Sequence, residues 1–487
     1  MHRMSRGFLL LALISAFAAG NLYPATLPGS PSTTNNDDSC DISVAPAATL
    51  LLPHFEVELD GNADTARTTV FNVINVSSSP QLARVTLWTD WSYPTLSFSI
   101  FLTGYDVEAV DLRNLLIRGT VPTKVGMPGP MSKPNFSNAN FARTVAQDCG
   151  LRMPHVPSGV MKDVRAYLTN GRSNSSALSC QSAPGVEERV GSDHGPDIAA
   201  GYVTIDVVAT CAPTMPNSPR YFTSELLFDN VLTGDYVAIE PSGTTNGYAG
   251  GSPLVHIRAI PEGGAAGSIV PTRLPYTFYD RFTTIDESTP RTIDRRQPLP
   301  ATFAARWIDG GQTGFATSYS IWREARTGAN AGCGEYEANG NMPVADLVRF
   351  DEHENAAVRA AGGISILSEP IGLSASSNIE PYSNLFPVLY TTDFGGWTYL
   401  NLNNGGSPRI YSASRAGFGN GRRDGSSYPR QVSQNWVVIN LFAEDRYGVS
   451  HDAAWLGNGC SPAQAQTSRA SSTGGKERIG PAANINP

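Results

Sequence analysis

Residues 68–116, TTVFNVINVSSSPQLARVTLWTDWSYPTLSFSIFLTGYDVEAVDLRNLL, decide the fold class. Residues 70–76 are almost continuously apolar and β-branched, and Ser77-Ser78-Ser79-Pro80 stops them, so they read as a strand ending in a turn. Clean alternation follows. Ala83, Val85 and Leu87 share one side of a strand with Arg84, Thr86 and Trp88 opposite, and Leu96, Phe98, Ile100 and Leu102 alternate with Ser97, Ser99 and Phe101. Gly104 marks the next turn, before a strand over 107–112. Short strands spaced about ten residues apart, with turn residues between them, predict a mainly β chain built as antiparallel β-sandwiches.

Outward from this stretch the idiom persists. Upstream, Ala48-Thr49-Leu50-Leu51-Leu52, Pro53 and the alternating Phe55, Val57 and Leu59 supply one or two strands. Downstream, strands are expected over 201–211, 235–240, 254–260, 276–282, 301–308, 319–323, 344–350, 396–403, 435–443 and 447–456, with a helical turn over 226–232. One helix is expected over 159–168, capped by Ser158 and ended by Asn170-Gly171. Residues 119–148 are rich in Pro, Gly, Asn and Ser and read as a linker or long loop. The expected organisation is therefore a sandwich at 40–118, a β-rich middle region with the short helix at 149–270, a C-terminal β-rich sandwich region at 271–460 and a disordered tail at 461–487.

The chain starts MHRMSRGFLLLALISAFAAG: basic residues, a short apolar run and a small-residue exit, the layout of a secretory signal peptide over 1–19, followed by a flexible leader over 20–39. The run is shorter than the roughly 20 residues that span a bilayer, and no transmembrane span is expected in the mature chain. Export to the periplasm, the outer surface or the medium follows. The net charge of −8 gives no electrostatic footprint for nucleic acid. Six cysteines, Cys40, Cys149, Cys180, Cys211, Cys333 and Cys460, form no CxxC pair; in an exported chain they read as disulfides. The preferred pairing is Cys149 with Cys180, Cys211 with Cys333, and Cys40 with Cys460.

Chemistry is sparsely marked. There is no GxSxG elbow and no HExxH helix. Asp60, Asn62 and Asp64 have the spacing that opens a calcium loop, but Thr65 stands where the loop needs glycine. Asp351, Glu352 and Glu354 crowd together after a strand and form a second candidate for calcium, with solvated strand-end acids as the plainer account. Gly417 to Gly421 lacks the lysine and the helix of a phosphate loop and reads as a hairpin. Trp88, Asp90, Trp91 and Tyr93 cluster at a turn where aromatic faces would stack on sugar rings and the carboxylate would take hydroxyl hydrogen bonds; the competing account places the tryptophans in the core.

Ser192-Asp193-His194-Gly195 resembles a metal-binding element of the alkaline phosphatase and sulfatase superfamily, in which the Asp and His ligate a catalytic metal. Here it follows Glu187-Glu188-Arg189 rather than a buried strand, and a polar turn is the expectation. The order of features over 69–112, with Asn72 or Asn75, the Ser79-Pro80 turn, Val85 and Leu87, and Val110 to Leu112, resembles immunoglobulin-like modules of exported bacterial surface proteins. The whole chain is similar to a group of uncharacterised exported bacterial proteins, on its WTDW and LTGYDV stretches. That resemblance implies immunoglobulin-like sandwiches and no assigned activity. The leading expectation is a secreted or cell-surface, non-catalytic interaction or structural protein of the cell envelope that requires no cofactor, with calcium as its candidate ion and an extracellular glycan or an envelope protein as its candidate partner. The rival is an exported hydrolase with a loop-built acidic site, whose first candidates are Asp193, His194, Asp351 and Glu354.

Overall fold

Leu50, Leu51 and Leu52 are consecutive in one strand and all fully buried, which a strand permits only when both its faces are covered. Leu50 and Leu52 pack with Phe71, Val85 and Val203, whereas Leu51 joins Trp88, Tyr202 and Trp322 in a second core. The computed structural model that shows this describes residues 45–62, 66–122, 156–172, 189–210, 214–216, 218, 220–240, 248–259, 277–279, 282, 294, 296–311, 314–325, 336–344, 346–358, 372–383, 385–386, 393–402, 433–443 and 447–456. The signal peptide, leader, most of the expected linker, the tail and all six cysteines lie outside them.

The strand containing the three leucines is β1 (Thr49–Glu58). It is followed by β2 (Thr68–Asn75), β3 (Gln81–Thr89), β4 (Pro94–Leu102) and β5 (Val107–Asp111), then β6 (Ile198–Val207), β7 (Leu232–Thr233), β8 (Asp235–Glu240), β9 (Tyr248–Pro253) and β10 (Val255–Ile257). An inner sheet runs β10-β1-β6-β3-β4, and an outer sheet runs β5-β2-β8-β9 with β7 beside β2. All their pairings are antiparallel. The C-terminal half supplies β11 (Thr302–Ile308), β12 (Phe315–Arg323), β13 (Met342–Pro343), β14 (Asp346–Asp351), β15 (Ala356–Val358), β16 (Gly372–Leu373), β17 (Ser376–Ile379), β18 (Gly395–Asn401), β19 (Asn435–Ala443), β20 (Tyr447–Asp452) and β21 (Ala454–Trp455). They form one sheet ordered β15-β14-β18-β11-β21, another ordered β17-β12-β19-β20, and the ribbon β13-β16. The chain is thus mainly β with several antiparallel sheets, as the alternation predicts.

The domain boundary expected at 119–148 does not divide the sheets. β6 inserts between β1 and β3, and β8 pairs with β2, so the 40–118 and 149–270 segments complete the same two sheets. The physical reason is exposure: β3 is buried along its whole length and needs neighbours that the first segment does not contain. Its polar side, Arg84 and Thr86, is covered rather than solvated. The Arg84 guanidinium donates to Ser99 Oγ at 2.8 Å and to the carbonyls of Thr210 and Thr214 at 3.0 Å each. Nearby, Asp206 accepts from the hydroxyls of Tyr221 at 2.6 Å and Tyr279 at 2.7 Å and from Thr49, so the second face of the inner sheet holds a buried polar network. Tyr202 bridges the halves, stacked on Trp88 at 5.5 Å and edge-on to Trp322 of β12 at 6.1 Å.

The helix expected over 159–168 spans Ser158–Asn170 and ends at a left-handed Gly171, with Pro157 rather than Ser158 at its N-cap. A second helix, Leu112–Arg118, occupies the end of the strand expected over 107–112. Asp111 caps it by accepting from the N–H groups of Arg113 and Asn114, and Gly119 closes it in the left-handed region. The helical turn lies at Tyr221–Glu225, ahead of the expected 226–232. Of the strand expected over 276–282, the described residues form turns. No helix among the described residues is long and apolar enough to cross a membrane.

Candidate functional site

Pro53 lacks an N–H, and at this point the pairing of β1 with β6 shifts register between Leu52 and Phe55. Past the shift, His54 and Glu56 occupy one wall of a cleft of about 310 Å³ between the two halves. Arg67, Thr68 and Tyr236 extend that wall; Ser318, Ser320, Asn378, Glu380, Asn440 and Phe442 of the C-terminal half face it. His54 Nδ1 lies 2.9 Å from Ser376 Oγ, and its Nε2 lies 3.2 Å from Glu56 Oε1. Arg67 pairs with the other oxygen of Glu56. Burial disfavours the Glu56 carboxylate, but its hydrogen bonds and electrostatic interactions with His54 and Arg67 outweigh it and hold the carboxyl down at about 2.

Ser376, His54 and Glu56 have the side-chain types of a hydrolase triad, and their geometry argues against that use. Ser376 is 2 % exposed and is absent from the cleft wall. Its hydroxyl sits 2.9 Å from Pro53 O and 3.2 Å from Gly201 O, so it donates to main chain of the N-terminal half. A nucleophile must be reachable by substrate. The trio instead fastens β17 to β1 behind one wall of the cleft.

The opposite wall is a polar face of the β17-β12-β19-β20 sheet. Asn440 donates from one amide nitrogen to Ser318 Oγ at 3.3 Å and Ser320 Oγ at 2.9 Å, and accepts from Ser450 Oγ at 2.7 Å. Each serine therefore keeps its own hydrogen to donate. Asn378 and Glu380 are exposed beside them.

The aromatic turn singled out in the sequence lies elsewhere and is largely covered, which corrects its expected role as an open sugar-stacking surface. Trp88 is fully buried and donates to Thr204 Oγ1 at 2.9 Å. Trp91 is 8 % exposed and donates to Ser192 Oγ at 3.0 Å, while Tyr93 packs on Tyr167 and Tyr336 at 5.3 Å each. Asp90 is 2 % exposed; it accepts from Ser192 N at 2.9 Å and from the Ser192 hydroxyl, and lies 3.7 Å from His194 Nε2. The WTDW and SDHG stretches thus hold each other. Burial opposes a charged His194, yet Asp90 wins and raises its pKa. Asp193 points to Arg189 at 3.5 Å and to Gly195 N at 3.1 Å, so Asp193 and His194 serve different partners rather than one metal.

At the acidic turn, Asp351 Oδ1 accepts from His353 N at 2.9 Å and Asn355 N at 2.8 Å, and its Oδ2 accepts from Asn355 Nδ2 at 2.9 Å. Asp351, His353 and Asp393 present ligand atoms within 4.8 Å of one another, with His353 Nδ1 2.6 Å from Asp393 Oδ2. The side chains that converge with Asp351 are His353 and Asp393, while Glu352 and Glu354 are exposed. Asp393 is 42 positions from Asp351, and no sequence signal links them. At the other expected calcium loop, Asp60 accepts from Gly61 N at 2.8 Å, and Arg113 donates to the carbonyls of Glu58, Asp60 and Gly61. Asn62 is exposed and Asp64 lies outside the described residues.

The cleft residues carry no motif. Their one signal is the serine alternation Ser318-Tyr319-Ser320 within β12. Comparisons with protein-family models, with curated proteins and with solved structures returned no match to this chain.

Proposed function

We propose that the chain is an exported, non-catalytic binding protein of the cell envelope that holds its ligand in the polar cleft between its two halves. The observation that carries this reading is the cleft itself: a concave site of about 310 Å³ whose walls come from both halves and whose polar groups converge on one space. The basic start and short apolar run over 1–19 support export, and with it disulfide pairing. The hydrolase reading has the His54, Ser376 and Glu56 trio in its favour, and the burial of Ser376 against it.

The test is retention of the mature protein on sedimented cell-envelope fractions, comparing wild type with Asn378→Trp, which fills the cleft from an exposed position. Retention of wild type and its loss in the variant supports the reading. Equal retention of both removes the cleft from binding, and soluble fragments released into the supernatant favour the hydrolase. Repeating the assay with calcium and with a chelator tells whether the turns at Asp60 and Asp351 take part.

A further inference from the structure

We infer that the occupant of the cleft is a neutral polyhydroxylated chain, a glycan without acidic sugars; this rests on the cleft being the binding site. The argument is one of hydrogen-bond inventory and charge. Asn440 spends both amide hydrogens on Ser318 and Ser320, which turns each hydroxyl into a donor with no acceptor among the described residues. The two serines are i and i+2 on β12 and share one amide nitrogen of Asn440, at 3.3 and 2.9 Å, so their hydroxyls sit about 5 to 6 Å apart on one face. Next to Ser320, Asn378 of β17 offers an exposed carboxamide that both donates and accepts. Glu380 adds an exposed carboxylate that accepts from hydroxyls. A ligand that donates and accepts at closely spaced positions matches this set, and a sugar chain is such a ligand.

Charge decides against an acidic polymer. The cleft holds two carboxylates, Glu56 and Glu380; its guanidinium, Arg67, and its imidazole, His54, are both already engaged by Glu56. A uronic or phosphorylated chain would meet Glu380 without a cation to offset it. The geometry also decides against an extended peptide bound by strand addition, which needs an open strand edge. The cleft wall is the side-chain face of a sheet, and β17, its edge strand, already donates from Ser376 N to Asp90 O at 3.1 Å. Phe442, half-buried on the same wall, supplies an apolar surface for sugar C–H groups.

The experiment is calorimetric titration of the mature protein with a panel of hexasaccharides: cellohexaose, maltohexaose, mannohexaose, chitohexaose and the acidic hexagalacturonate. At least one neutral member is expected to bind, with hexagalacturonate at least tenfold weaker. The double variant S318A/S320A should weaken the neutral ligand tenfold or more. Because those serines are buried, Asn378→Ala and Glu380→Gln provide surface variants that leave the core intact, and each should weaken it at least threefold. Failure of every neutral hexasaccharide to bind, or binding that ignores all these variants, overturns the inference. Envelope retention that depends on the cleft and survives periodate oxidation of the envelope sugars also overturns it, while leaving the proposed binding function standing. Retention that ignores Asn378→Trp removes both.

Discussion

Replacing Arg323 tests how the C-terminal half is held together. Arg323 ends β12 and is fully buried. Its guanidinium donates to Met342 O at 2.6 Å, Pro343 O at 2.9 Å, Leu373 O at 3.3 Å and Leu402 O at 2.7 Å. One side chain therefore satisfies both strands of the β13-β16 ribbon and the residue just after β18. Methionine in its place keeps the stem and removes the charged donor from four carbonyls, of which Leu402 O retains the Ser433 hydroxyl at 3.3 Å. A hydrogen bond from a charged donor contributes about 1.5 to 3 kcal/mol, and an orphaned buried carbonyl costs about 1 to 3 kcal/mol. Such losses are not additive once water enters and the ribbon relaxes, so R323M is expected to cost about 4 kcal/mol. Lysine reaches one or two of the four carbonyls, and R323K should cost about 2 kcal/mol. The assay is urea unfolding followed by tryptophan fluorescence, for which the adjacent Trp322 is a local probe. R323M and R323K lying within about 1 kcal/mol of wild type and of each other would refute the reasoning, since the fan of bonds would then carry no net energy.

Three further outcomes follow from the same geometry. Glu56 is held at about 2, below its ordinary value, so its stabilisation is complete above about pH 4.5 and disappears as pH falls toward 2; acid unfolding of E56Q should lack that component. Asp452 shows the opposite sign: burial raises its carboxyl to about 6 against the Trp436 Nε1 bond at 2.9 Å, so folding is penalised above pH 6 and relieved between 6 and 4. After allowance for partial exposure, D452N should be more stable by about 1 to 2 kcal/mol at pH 7.5 and equal to wild type near pH 4, read from paired denaturation curves. G201A should fold poorly or lose more than about 3 kcal/mol, because a Cβ there would sit 2.0 Å from the carbonyl oxygen of Trp88; a normal melting temperature would contradict the close approach.

Strand identity was legible wherever side chains alternated, because the period-2 pattern is local. β3, β4, β11, β14 and β19 fall where the residues place them, whereas β12 begins at Phe315, ahead of the expected 319–323. Layering was not legible. Arg84, Thr86 and Asp206 look like a solvated face, and only the tyrosines and carbonyls supplied from 210–225 and 277–296 reveal that face as an interior one. The helix Leu112–Arg118 had its cap and its glycine in plain view, but the preceding strand pattern ran through Leu112 and masked it. Two marked stretches, WTDW and SDHG, were visible separately; their junction across 102 positions was not. The cleft was the least legible feature, since its serines, Asn378 and Asn440 are ordinary sheet residues until the two halves face each other.

Hydroxyl-radical footprinting of the mature protein with and without solubilised envelope fragments tests the central claim most directly. The account predicts that oxidation of Phe442 falls when the fragments are added, while the exposed Phe394 and Trp455, which do not line the cleft, react as before. Unchanged oxidation of Phe442, with protection appearing at Phe394, Trp455 or His353 instead, would place the ligand outside the cleft and contradict it.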